Sequence, residues 1–138
     1  MGNRETIVTV RVLNSCKLSH ITKETREELL KMDLSTLVKM SNTYGSNPAY
    51  VLAGGGNTSV KDDTTLYVKG SGTQLATIKA EEFVKMDRAR LNEIMKTEYP
   101  TDDVKRESAY LADVMAAVTD DDKTKRPSVE ALLHNLFA

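Results

Sequence analysis

The sequence predicts an α/β fold, and three observations carry that expectation. Two β-branched runs, Thr6 to Leu13 and Thr64 to Lys69, read as short strands. Glycine clusters at Gly54-Gly55-Gly56 and Gly70-Ser71-Gly72 punctuate the chain beside such runs. Finally, Val129, Leu132, Leu133, Leu136 and Phe137 recur at helical spacing and predict a closing helix over Ser128 to Phe137.

Taken in order, Thr6 to Leu13 is a strand, and Thr22 to Met32 is a charged helix with Thr22 placed to cap it. Asp33 or Ser35 caps a further helix that carries Leu34, Leu37, Val38 and Ser41 on one face, with Gly45 as its C-terminal stop. Tyr50 to Ala53 is a short apolar strand running into the glycines. Asp62-Asp63 is a turn signal, so the segment up to Lys69 is a hairpin or a meander. Thr77 to Met86 fits either a helix or a turn. Residues 88–118 read as helical with a break at Pro100, and Val104, Ser108, Leu111, Met115 and Val118 share one face of the second part. Asp120 to Lys123 is a solvated loop. The apolar stripe of the last helix runs up to Ala138 without a cap or polar tail, which predicts a domain that continues further.

The chain of 138 residues has room for one core, with 40% apolar and 28% charged residues. Nineteen basic residues balance 20 acidic ones for a net charge of −1, so neither nucleic acid nor an anionic membrane is expected as a partner. Cys16 is the single cysteine, which excludes an internal disulfide and a thiolate metal cluster. It carries no reactive signature around it. With no leader-like or membrane-spanning apolar run, the expected setting is the cytoplasm.

Three segments could carry chemistry. Gly54 to Ser59 brings consecutive glycines, whose amides can approach an anion, beside the donors Asn57 and Ser59. No Gly-Lys-Ser/Thr follows as in a Walker loop, and a strand follows where a dinucleotide fold needs a helix. Lys69-Gly70-Ser71-Gly72-Thr73 offers a second group of amides and hydroxyls at a strand end. Pro127-Ser128-Val129-Glu130 opens the last helix, where unpaired amides meet a carboxylate. Each segment alone is also what an ordinary turn or helix start looks like. Together they supply what a phosphate cradle beside a proton-transfer group requires. Glu130 and His134 stand four residues apart, yet two donors make a poor metal site, so His134 is read as structural. His20 has no companions.

Gly56-Asn57-Thr58-Ser59, Gly70-Ser71-Gly72 and Pro127 to His134 resemble, in order and rough spacing, the class II aldolase/adducin family. The likeness covers residues 34–138 and is nearest to the aldolase module of proteins that carry a short-chain dehydrogenase module downstream, of the rhamnulose-1-phosphate aldolase kind. It implies the N-terminal portion of a single domain over residues 1–138. That domain would be a three-layer fold with a largely antiparallel central sheet flanked by helices, incomplete at its C-terminus. By the same resemblance Gly56, Asn57, Ser71, Gly72 and Ser128 bind the substrate's phosphate, and Glu130 is the catalytic acid/base. The family's zinc, or another divalent metal, stabilises the enediolate left by C–C cleavage. The family's histidine ligands would lie beyond Ala138, since His20 and His134 stand elsewhere, so no metal ligand is expected in this chain. Val129 also departs from the pattern, replacing a second serine and its hydroxyl.

The first expectation is thus half of a metal-dependent aldolase that cleaves a ketose 1-phosphate to dihydroxyacetone phosphate and an aldehyde, inactive as 138 residues alone. A homo-oligomer with sites between subunits is implied for the complete protein. The alternatives are an adducin-like assembly module without chemistry, or an epimerase or dehydratase acting on a sugar phosphate.

Overall fold

The structure, a computed structural model, describes residues 7–11, 23–121 and 124–137, with side chains from Leu34 onward. Cys16, His20 and the Asp122-Lys123 part of the expected loop lie outside the described residues.

Four strands form one sheet in the order β1 (Ile7–Arg11), β2 (Asn57–Lys61), β3 (Thr65–Lys69) and β4 (Phe83–Asp87). β1 runs parallel to β2, and the helix α1 (Lys23–Gly45) lies between them in the chain. The pairs β2–β3 and β3–β4 are antiparallel. The Asp62 carboxylate closes the first hairpin by accepting from the Thr64 and Thr65 amides, both at 2.7 Å. The largely antiparallel sheet flanked by helices is therefore the one expected.

Alternation along the strands divides the core into two layers. On one face Val60 and Phe83 pack with Leu37 of α1 and with Ile78. On the other, Leu66, Val68, Val84 and Met86 meet the helices α2 (Arg88–Ile94), α3 (Asp103–Ala116) and α4 (Ala131–Leu136) through Leu91, Val114 and Ala131. Burying each such aliphatic side chain contributes about 1.5–3 kcal/mol. Caps set the helix starts. Asp87 accepts from the Ala89 and Arg90 amides at 2.8 and 3.3 Å, and Asp102 accepts from the Lys105 amide at 3.0 Å. Pro100 falls in the break between α2 and α3, as its chemistry requires.

Four local expectations differ from the structure, while Gly45 closes α1 as expected. Residues 23–45 make one continuous helix, so Asp33 and Ser35 lie inside it rather than cap a second. Crowding requires a glycine at its last residue: a Cβ on Gly45 would lie 2.4 Å from the Ala76 nitrogen. Tyr50 to Ala53 is not a strand, because Ala53 is left-handed (φ 53°) and Gly56 follows at φ 80°, so pairing starts only at Asn57. Thr77 to Met86 splits into a 3-10 turn (Ala80–Glu82) and β4. Of the face expected for α3, Val104, Ser108 and Leu111 are exposed, Met115 is half-buried and Val118 is buried just past the helix, while Val114 is the residue α3 itself buries.

Candidate functional site

The site is built where β2 and β3 part. They pair from Ser59–Val68 onward, while Asn57 and Thr58 pair only with β1. The place beside β3 is taken by Arg126 to Ser128. The Ser71 amide donates to the Arg126 carbonyl at 2.8 Å and the Ser128 amide to the Lys69 carbonyl at 3.0 Å, which brackets a Gly70–Pro127 bridge. Pro127 suits this position, having no amide hydrogen to satisfy. Three segments remote in sequence thus meet at one sheet end.

Asn57 is the link between them. Its side-chain amide donates to the Ser128 hydroxyl and to a Glu130 carboxylate oxygen, across 71 and 73 residues. The Ser128 hydroxyl stands 3.4 Å from the same carboxylate oxygen and accepts from the Glu130 amide at 3.3 Å. Asn57 and Ser128 are buried, Glu130 is half-buried, and the Asn57 carbonyl oxygen Oδ1 is buried without a hydrogen-bond partner. Orphaned buried oxygens are uncommon and concentrate where a ligand or a conformational change supplies the partner.

Gly56 precedes Asn57 in a left-handed conformation (φ 80°), and a Cβ there would come within 2.8 Å of the Leu75 side chain. Gly72 is left-handed as well (φ 84°) but faces open space, and Ser71 beside it is exposed. The structure therefore brings Asn57, Ser128 and Glu130 into contact. It sets Gly56 next to Asn57 in sequence, and it ties Ser71 to the same segment through its backbone.

Glu130 stands at the N-cap of α4 rather than within its first turn, and its side chain makes no capping bond. Of the apolar stripe expected to bury α4, Leu132 packs against the core and the rest points outward. Val129 is 85% exposed and Leu133, Leu136 and Phe137 are all exposed, whereas Ala131, His134 and Asn135 are buried. The inward seat is polar. Ser59 Oγ lies 2.8 Å from His134 Nδ1, and Lys61 Nζ donates to the carbonyls of His134 at 2.6 Å, Asn135 at 3.1 Å and Phe137. Arg88 adds a bond from Nε to Asn135 Oδ1 at 2.8 Å. Cationic groups at a helix C-terminus meet its unpaired carbonyls and the negative end of its dipole. Sequence reasoning missed Lys61, Arg88 and Asn135. The polar alternation Asn57, Ser59, Lys61 was the available signal.

Burial holds the His134 imidazole below its ordinary value of 6.5; Glu130 opposes that shift and Lys61 adds to it. The ring is neutral at physiological pH. Among the described residues no group of three His, Cys, Asp or Glu side chains is placed to hold a metal ion. The divalent metal used by class II aldolases thus finds no ligand set in these residues. Among the described residues, too, no helix is long and apolar enough to cross a membrane.

An amide, a hydroxyl and one carboxylate thus gather beside glycine turns at one end of a layered α/β sheet. Residues 35–137 match the family described as "Class II Aldolase and Adducin N-terminal domain", and the chain belongs to that family. It is 32% identical over 126 residues to "Uncharacterized oxidoreductase YuxG" of Bacillus subtilis (strain 168). That match takes in 85% of this chain and 17% of the relative's length. It also resembles the solved N-terminal class II aldolase domain of a conserved protein from Thermoplasma acidophilum, with TM-score 0.63 and 28% identity. There 76% of this chain overlays 50% of the solved one, so the chain spans half or less of these relatives.

Proposed function

We propose that this chain supplies the phosphate cradle and the proton-transfer carboxylate of a class II aldolase that cleaves a ketose 1-phosphate of the rhamnulose-1-phosphate type. One observation carries the reading: the Asn57 amide touches both the Ser128 hydroxyl and the Glu130 carboxylate. Phosphate donors and a base are thereby held within one side chain's reach.

The roles follow from the groups. Asn57, Ser128 and the Gly70-Ser71-Gly72 turn offer hydrogen bonds to phosphate oxygens, with Gly72 leaving the backbone open to approach and left-handed Gly56 setting the turn into Asn57. Cleaving the C–C bond leaves an enediol carbon that must gain a proton to become dihydroxyacetone phosphate. Glu130 delivers that proton, and in the reverse direction removes it. The family's divalent metal would stabilise the enediolate when bound, although the described residues form no set to hold it. Val129 leaves its backbone amide as the one contact at that position. The oxidoreductase name borne by the Bacillus relative supports a dehydrogenase module on the same polypeptide, and the family supports a homo-oligomer in the cytoplasm.

The test is Glu130→Gln in the polypeptide that carries this chain, assayed with L-rhamnulose 1-phosphate. Turnover is expected to fall by roughly a hundredfold or more with KM little changed. Ser71→Ala should show the complementary pattern, a raised KM with turnover less affected. A Glu130→Gln enzyme with parental turnover would leave Glu130 as a helix cap and refute the aldolase roles.

A further inference from the structure

Helix α4 seats His134 and Asn135 inward beside Ala131 and Leu132, and stability alone does not account for burying that histidine. Leu133 is exposed to water while His134, the next residue, is fully buried with Nε2 lacking any hydrogen-bond partner. Burying leucine and exposing histidine would remove an unsatisfied buried nitrogen and cover apolar surface. What the present arrangement gains is direction. A leucine packs in many orientations, whereas the 2.8 Å contact between Ser59 Oγ and His134 Nδ1 fixes where the helix lies on β2.

The contact is one of three in a row. Asn57, Ser59 and Lys61 alternate along β2 and point to one face, the opposite side from Val60 and its α1 neighbours. Asn57 meets the start of the last segment at Ser128 and Glu130, Ser59 its middle at His134, and Lys61 its terminal carbonyls. Three points define the height, tilt and rotation of a short rigid body. His134 is also one hydrogen bond from Glu130, since its backbone amide donates to the Glu130 carbonyl at 3.0 Å. A shift at the histidine is therefore passed to the carboxylate within one helical turn.

We infer that His134, seated on Ser59, is a positioning residue that sets where the Glu130 carboxylate stands; the inference rests on the aldolase reading above. Supporting groups of this kind hold a reacting side chain to a fraction of an ångström, which is the scale on which turnover depends.

The experiment compares His134→Leu, His134→Asn and Glu130→Gln in the polypeptide that carries this chain, with L-rhamnulose 1-phosphate as probe. The leucine variant fills the space without the hydrogen bond, and the asparagine variant returns a polar atom to the Nδ1 position. His134→Leu is expected to melt at or above the parent's temperature, with kcat lowered about tenfold or more and KM unchanged. His134→Asn is expected to recover most of that kcat despite a lower melting temperature. A residue that only packs would do the reverse, with the leucine variant active and the asparagine variant weak, and that result overturns the inference. If His134→Leu does not fold, Ser59→Ala removes the same contact by a single oxygen, and parental kcat in that variant overturns it equally. Crystal structures of the folded variants provide a readout independent of substrate: Glu130 unmoved from Asn57 in His134→Leu or Ser59→Ala sinks the inference. Glu130→Gln separates the two levels. If it is active, the aldolase reading fails; if it is inactive while His134→Leu is fully active, the positioning role alone fails.

Discussion

The two sides of β2 are held by different forces. Toward α1, Val60 packs with Leu37, Ile78 and Phe83, and Thr58 adds a polar contact with Ser41 at 2.8 Å. Toward α4 the contacts are an amide, a hydroxyl and an ammonium group meeting a carboxylate, an imidazole and helix carbonyls. Apolar burial is strong and tolerant of direction, while hydrogen bonds add little net stability but fix geometry. At β2 itself, apolar packing holds the α1 side, while hydrogen bonds on the α4 side keep Glu130 where it is.

That contrast can be broken from either side. The largest effect should come from Phe83→Ala, which empties the α1 layer and is expected to cost about 3–5 kcal/mol in urea unfolding. The molecules that stay folded should retain the parent's KM, since the Phe83 side chain belongs to the apolar layer under α1. A raised KM in that folded fraction would show that the two sides are not separable.

Acid should act on the other side. His134 has its folded-state value lowered by burial, so on acidification the unfolded chain takes up this proton first. Its contribution is fully present above the unfolded value near 6.5 and is lost as pH falls from there toward the folded-state value. Urea midpoints should therefore drop between about pH 7.5 and pH 5.5, and drop less in His134→Leu. Identical pH dependence in both proteins would contradict the neutral, buried imidazole.

The smallest effect should be Val129→Thr. The side chain is 85% exposed and belongs to neither layer, so unfolding should change by no more than about 0.5 kcal/mol. A larger loss would mean that the outward stripe is covered.

How much of this could be read from the sequence depended on whether the signals were local. β3, the Asp62 turn and the break at Pro100 were legible because a β-branched run, a side-chain turn and a missing amide act on their own neighbours. β4 was ambiguous, as Phe83 to Met86 is too short for periodicity to separate strand from helix. β2 was hidden because Asn57-Thr58-Ser59-Val60-Lys61 looks like a loop, yet all five residues are buried. Its polar groups find partners some seventy residues later, information no window contains. Of the α4 stripe only Leu132 meets the core, and Val129, Leu133, Leu136 and Phe137 face outward. Periodicity groups residues onto a face but does not say whether core or solvent lies against it. The family motifs selected Asn57, Ser128 and Glu130, which the fold brings into contact. Arg88 lay outside any motif, and Lys61 was given no role.

The full burial of β2 bears on how freely this chain can vary. Each of its five residues answers to a neighbour on one face of the sheet or the other, so a change there has few acceptable forms. In α3, by contrast, Val114 is the one buried residue among fourteen, and most of that helix faces water under no comparable demand. Drift should therefore accumulate in α3 while the pentapeptide Asn57–Lys61 stays nearly fixed, a difference in tolerance between two regular elements of one small fold.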